Sequence, residues 1–168
     1  LKMLPYVFVR SYNIRHAEWS EINFDNKEWI IPASKMKTKI EFTLPLCNEV
    51  INILYEVNKL TGSDKYIFPS YRYNNRPMSD NTLLSAIRRM GYSKEQFVPH
   101  GFRAMFSTIA YENINEHGCS GEVIEALLAH KETNKVKAAY NRASYKAPMK
   151  KLVKWYEKYL LNLKEKDL

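Results

Sequence analysis

Six side chains in a fixed order carry the chemistry of this chain. They are Arg10, Lys37, the His100 and Arg103 of His100-Gly101-Phe102-Arg103, the His130 that ends Leu127-Leu128-Ala129-His130, and the Tyr140 of Ala138-Ala139-Tyr140-Asn141-Arg142. An arginine offers a planar fork that grips two oxygens of a phosphate. A histidine titrates near neutrality and takes or gives a proton. A phenol is a weak nucleophile at its ordinary pKa near 10, and neighbouring cations lower that value. Together these groups suit one kind of reaction, in which cations and imidazoles hold and polarise a phosphodiester while the phenol attacks it.

Taken singly, each residue also fits a plainer role. His100 and Arg103, three apart on a helix, share a face and could be a surface pair. His130 at a helix C-terminus is favoured by the helix dipole. Arg10 could pair with an acid, and a lysine-rich turn around Lys37 could simply be solvated. Tyr140 is one of 12 tyrosines and stands out only by its surroundings.

Those surroundings are basic. Lys and Arg number 26 against 18 Asp and Glu, a net charge of +8. Most of the surplus lies in one stretch, with Lys131, Lys135, Lys137, Arg142, Lys146, Lys150, Lys151 and Lys154 around Tyr140 and Glu132 as its one acid. Such a surface follows a phosphate backbone and binds it in a salt-dependent way. Lys131, Lys135, Lys137 and Arg142 are therefore candidate DNA contacts, as are Lys35 and Lys39 beside Lys37.

The elements that must position these residues can be read from periodicity. Residues from about 5 to 18 read as helix, broken near Arg10 to Asn13. Trp19 to Phe24, Glu28 to Pro32 and Glu41 to Leu46 read as short strands, with Asp25-Asn26-Lys27 as a turn. The connection Ala33 to Lys39 would place its lysines at a hairpin tip. Val50, Ile53, Leu54 and Val57 recur at helical spacing. Further helices are expected over Ser79 to Met90, His100 to Ile114 and Ser120 to Ala129, with a short helix or turn over Asn134 to Asn141. A final helix, Ala147 to Leu163, carries Leu152, Trp155, Tyr159 and Leu163 along one face. The expected fold class is α+β, mostly helical with one small three-stranded antiparallel sheet, in a single domain of 168 residues.

Hydrophobic residues make up 45% of the chain, which excludes disorder over most of its length. No run of about 18 apolar residues exists to span a membrane, and no signal peptide is visible. Cys47 and Cys119 are expected to be free thiols in a reducing compartment, the cytoplasm. His100, His117, Cys119 and His130 could be assembled into a metal module, but His117-x-Cys119 lacks the paired close spacings of structural zinc sites. The chain opens inside an apolar stretch, Leu1 to Val9, and is expected to be one domain of a longer protein.

The ordered combination resembles the catalytic domain of a tyrosine recombinase of the phage-type integrase kind. Arg10, ahead of Arg15-His16-Ala17-Glu18-Trp19-Ser20-Glu21-Ile22, is similar to the family's first arginine box. Lys37 in Lys35-Met36-Lys37-Thr38 is similar to its hairpin lysine, and His100 and Arg103 to its HxxR box. Leu127 to His130 and Ala138 to Arg142 resemble its last two boxes, and the aromatic tail Leu152 to Leu163 that of the same subgroup. The resemblance implies that fold and site-specific recombination by DNA cleavage and rejoining through a 3′-phosphotyrosyl intermediate, with no metal or other cofactor. It implies double-stranded DNA attachment sites and other recombinase protomers as partners, and N-terminal DNA-binding domains beyond residues 1–168. Arg10 and Arg103 would clamp the phosphate, His100 would take the phenol proton, Lys37 would protonate the leaving 5′-oxygen and His130 would hydrogen-bond the phosphoryl group. A non-cutting DNA-binding remnant and a type IB topoisomerase are the alternatives.

In one place the chain departs from the family. An acid usually stands three residues after the first arginine, and here that position is Asn13. Asparagine supplies no charge, so the expectation is an active but slow enzyme in which Asn13→Glu is neutral or faster. The alternative is a chain adapted to Asn13, with Glu18 or Glu21 serving as the acid.

Overall fold

The computed structural model describes residues 1–73, 75–130 and 145–166. Tyr140, the expected helix or turn over Asn134 to Asn141, and the candidate contacts Lys131, Lys135, Lys137 and Arg142 lie outside the described residues.

The first element departs from the sequence expectation of a helix from residue 5. After a 3₁₀ turn over Leu4–Tyr6, the chain runs extended through Val7 and Arg10, and α1 spans only Ser11–Arg15. The reason is burial: Tyr6, Val7, Phe8 and Val9 are all buried in succession. A helix would have turned one of these toward solvent, whereas an extended segment threading the core buries both of its faces.

A second 3₁₀ turn, Trp19–Glu21, replaces most of the first expected strand, leaving β1 as Ile22–Asn23. The Glu18 backbone N–H donates to the Glu21 carboxylate, which favours the turn over strand. β2 (Glu28–Ile31) and β3 (Phe42–Pro45) follow the expected positions closely. The three strands form an antiparallel meander in the order β1-β2-β3, with Trp29 opposite Ile22 and Leu44, and Ile31 opposite Phe42. Trp29 and Ile31 are buried while Ile30 between them is exposed, so the sheet has one face on the core. The connection from β2 to β3 is not a plain hairpin tip. It contains a 3₁₀ turn, Ala33–Lys35, and returns through Lys39 at φ 57°.

The rest is helical: α2 (Asn48–Thr61), α3 (Asn81–Arg89), α4 (Gly101–Glu112), α5 (Ile114–His117), α6 (Gly121–Leu127) and α7 (Lys146–Lys166). In α7 the buried face is Met149, Leu152, Val153 and Tyr156, while Leu163 is exposed. The inward stripe is thus rotated from the expected Leu152-Trp155-Tyr159-Leu163, because the core offers α7 an aromatic seat for Tyr156. Cys47 and Cys119 are both buried and unpaired.

That seat is the centre of the fold. Phe8 and Phe106 stack with ring centroids 3.7 Å apart, and Tyr156 packs edge-on against both at 5.5 and 5.0 Å. One ring comes from the extended N-terminal segment, one from α4 and one from α7. Two residues beyond Phe8 is Arg10, and three residues before Phe106 is Arg103, so the packing of two rings fixes the starting points of two arginines. Phe106→Ala should destabilise the protein by about 3–5 kcal/mol, read as a lower urea midpoint with an unchanged denaturant slope.

Candidate active site

α4 begins at Gly101, with His100 at its N-cap and Arg103 inside its first turn. A Cβ at Gly101 would meet the Phe97 ring at 2.8 Å, so a larger residue there must displace that ring. Arg103 is buried. Its Nη1 donates to the Phe8 carbonyl and its Nη2 to the Leu128 carbonyl at 2.8 Å, with the same Nη2 3.3 Å from His130 Nε2. One guanidinium therefore ties together the segment leading to Arg10, the end of α6 and the imidazole of His130. Its Nε–H has no hydrogen-bond partner among the described residues, so the cation keeps a donor uncommitted. Burial, then the charge of Arg10, bring its pKa down to about 10 against an opposing pull from Glu125, and it stays protonated at neutral pH.

His130 follows Ala129, which holds a positive φ of 49° and turns the chain out of α6. Its backbone N–H donates to the Glu125 carbonyl at 3.1 Å, and its Nδ1 lies 2.6 Å from Glu125 Oε2. The carboxylate accepts the Nδ1–H hydrogen bond, which leaves Nε2 facing Arg103. The other oxygen of Glu125 accepts from the Tyr111 hydroxyl at 2.9 Å. Glu125 escaped the sequence reading; its signal was an acid five residues before a histidine at a helix end, too common a pattern to single out.

His100 is exposed at the N-terminus of α4. Packing around its ring, then the positive charges of Arg103, Arg10 and His130, hold its pKa below the ordinary histidine value. The imidazole is thereby kept neutral and able to accept a proton near pH 7.

Arg10, Lys37, Thr38, Ala129 and His130 line one open cleft of about 240 Å³. Residues 10, 37 and 130, far apart in the chain, thus converge on one space, with Arg103 bonded directly behind His130. Lys37 and Lys39 are exposed.

Lys35 is not a free cation on the same surface. Its ammonium turns inward, donating to Glu18 at 2.8 Å, to Glu21, and to the His16 carbonyl at 2.6 Å. Burial opposes its charge, but the bonds to Glu18 and Glu21 prevail and raise its pKa. Glu18 and Glu21 are therefore committed to Lys35, which answers the expectation that one of them serves as the missing acid beside the arginines. Asn13 is buried, and its Nδ2 donates to the Lys35 carbonyl at 3.0 Å and to Met36 Sδ at 3.7 Å.

The residues weighed for a metal module are spoken for in other ways. His117 is buried, with Nε2 2.8 Å from the Ala110 carbonyl and Nδ1 accepting from the Cys119 backbone N–H at 3.0 Å. Among the described residues no group of three or more His, Cys, Asp or Glu side chains is placed to hold a metal ion, and no helix is long and apolar enough to cross a membrane.

The model of the phage integrase family matches residues 1–147. The prophage integrase IntA of Escherichia coli (strain K12) is 39% identical over 140 residues, covering 83% of this chain and 33% of that protein. The integrase of Enterobacteria phage P4 is 34% identical over 175 residues, covering 95% of this chain and 39% of that protein. The chain thus spans between a third and two fifths of the length of these two relatives. Among solved structures, the XerA recombinase shares the fold with a TM-score of 0.64 at 20% identity, over 87% of this chain and 53% of that one. The Tn1549 transposon integrase, solved in complex with circular intermediate DNA, shares it with a TM-score of 0.55 at 14% identity, over 87% of this chain and 53% of that one. By the family model and these relatives, the chain belongs to the phage integrase family.

Proposed function

We propose that this chain is the catalytic domain of a tyrosine recombinase, cutting and rejoining double-stranded DNA at attachment sites. The observation that carries the reading is the convergence of Arg10, Lys37 and His130 on one cleft, with Arg103 bonded to His130 behind it. Cations fixed in this way stabilise charge that develops on a phosphoryl group, and fixed charges need no reorganisation when the reaction occurs.

The Tyr140 phenol attacks the scissile phosphorus in line. A bond forms between the phenolic oxygen and phosphorus, the bond from phosphorus to the 5′-oxygen breaks, and the phenol proton passes to His100. Lys37 gives a proton to the departing 5′-oxygen, leaving a 3′-phosphotyrosyl enzyme and a free 5′-hydroxyl. Arg10 and Arg103 bear on the non-bridging oxygens, and His130, its ring aimed by Glu125, donates a hydrogen bond to the phosphoryl group from Nε2 when both of its ring nitrogens are protonated. Rejoining reverses these steps on a new 5′-hydroxyl. The neutral state of His100 suits a proton acceptor, and the exposure of Lys37 and Lys39 suits contact with a backbone. Lys131, Lys135, Lys137 and Arg142, close to Tyr140 in sequence, are further candidate contacts to the DNA backbone. Exchange between two sites needs further protomers of the protein, acting in the cytoplasm where the DNA is. The relatives' names as integrases and the solution of one structural relative with DNA support this reading.

On a nicked suicide substrate the full-length protein should accumulate covalent protein–DNA adducts, seen as a shifted band on denaturing gels, and Tyr140→Phe should abolish them; undiminished adducts would remove Tyr140 from the role. Because protein cations supply the charge on the phosphate, cleavage should proceed unchanged in excess EDTA. Loss of cleavage in EDTA with recovery on adding magnesium would contradict the mechanism.

A further inference from the structure

We infer that Asn13 is a positioning residue for Lys37 and that its role demands a hydrogen-bond donor. This rests on the function proposed above for Lys37. The connection between β2 and β3 is held residue by residue just before Lys37. The Lys35 ammonium is fixed by Glu18, Glu21 and the His16 carbonyl. Glu21 is itself held by Trp29, whose Nε1 donates to Oε2 at 3.0 Å. The Lys35 carbonyl accepts from Asn13 Nδ2 at 3.0 Å. Met36 is buried with its sulfur against the same amide. Lys37 then emerges, exposed, on the cleft that Arg10 also lines.

Asn13 belongs to the helix turn that starts at Arg10, since its backbone N–H donates to the Arg10 carbonyl at 2.9 Å. Its side chain therefore ties the Arg10 turn to the Lys37 carrier and sets the two cations' relative position. Both groups that it faces, a carbonyl oxygen and a thioether sulfur, are acceptors. An amide N–H satisfies them, whereas an ionised carboxylate offers only further lone pairs. A glutamate at this position would leave the part-buried Lys35 carbonyl without its donor and beside a negative charge, which is costly. The asparagine is thus an adapted part of this site and not a lost acid, and Asn13→Glu should not speed cleavage.

A leaving-group test separates positioning of Lys37 from a general structural role. A general acid matters when the leaving group is a poorly acidic 5′-hydroxyl, and little when it is a thiolate, which departs without protonation. Single-turnover cleavage by the native protein, Asn13→Asp, Asn13→Glu, Asn13→Ala and Lys37→Ala would be compared on DNA with a normal 5′-oxygen and on DNA with a bridging 5′-sulfur at the scissile phosphate. Asn13→Asp and Asn13→Ala should be slower by about 10²-fold on the oxygen substrate and close to native on the sulfur substrate, repeating the pattern of Lys37→Ala. Equal slowing on both substrates, or Asn13→Glu faster than native, would overturn the inference. If the native protein cleaves neither substrate, the proposed function falls instead. Hydrogen exchange then still decides the position of Asn13: residues 32–40 should exchange faster in Asn13→Ala than in the native protein, and unchanged protection there would overturn it.

Discussion

The site depends on one buried guanidinium. Arg103 donates to the carbonyls of Phe8 and Leu128 and contacts the ring of His130. Those partners belong to parts of the chain that share no local sequence signal with α4. A buried arginine is tolerated only where its donors are met, and here most of the meeting is done by backbone, which side-chain substitution elsewhere cannot remove. The same cation that closes the fold is thereby held in one orientation against His130, which lines the cleft. Lysine could not do this, having one compact head in place of a fork that reaches two carbonyls.

Two further devices extend the constraint. The Phe8, Phe106 and Tyr156 rings set the distance between the Arg10 segment and α4. The cluster of Lys35, Glu18 and Glu21 anchors the β2–β3 connection at 15%, 18% and 8% side-chain exposure. That burial makes it a structural knot and not a surface ion pair of small effect. Arg10 and Lys37, distant in sequence, line one cleft with His130, and Arg103 joins them through its bond to His130. Glu125 does the same for His130, joined on its other oxygen by Tyr111.

The sequence was legible where pattern is local. The turn at Asp25 to Lys27, the alternation of Trp29, Ile30 and Ile31, and the helical spacing of Val50 and Leu54 each point to the element that forms. Of the residues singled out by their order, Arg10, Lys37 and His130 meet at one cleft and Arg103 bonds to His130. What escaped is non-local. The extended run Val7 to Arg10 reads as helix because its apolar residues carry no mark of being buried on both sides. Lys35 looks equivalent to Lys37 and Lys39 until Glu18 and Glu21 fold against it. Asn13 looks like a lost acid until the Lys35 carbonyl is seen beside it. In each case the deciding partner lies many residues away, where neither propensity nor periodicity reports it.

The central claim, that Arg103 is at once the tie of the fold and the clamp of the phosphate, is tested most directly by Arg103→Lys. Urea denaturation and single-turnover cleavage would be measured on the same protein. Both should fall together: stability by about 1–3 kcal/mol, from buried carbonyls left without donors, and cleavage by about 10²-fold or more, from the lost fork. A variant with native stability and impaired cleavage would show that the guanidinium does not hold the fold. A destabilised variant that cleaves at the native rate would show that it does not act on the phosphate.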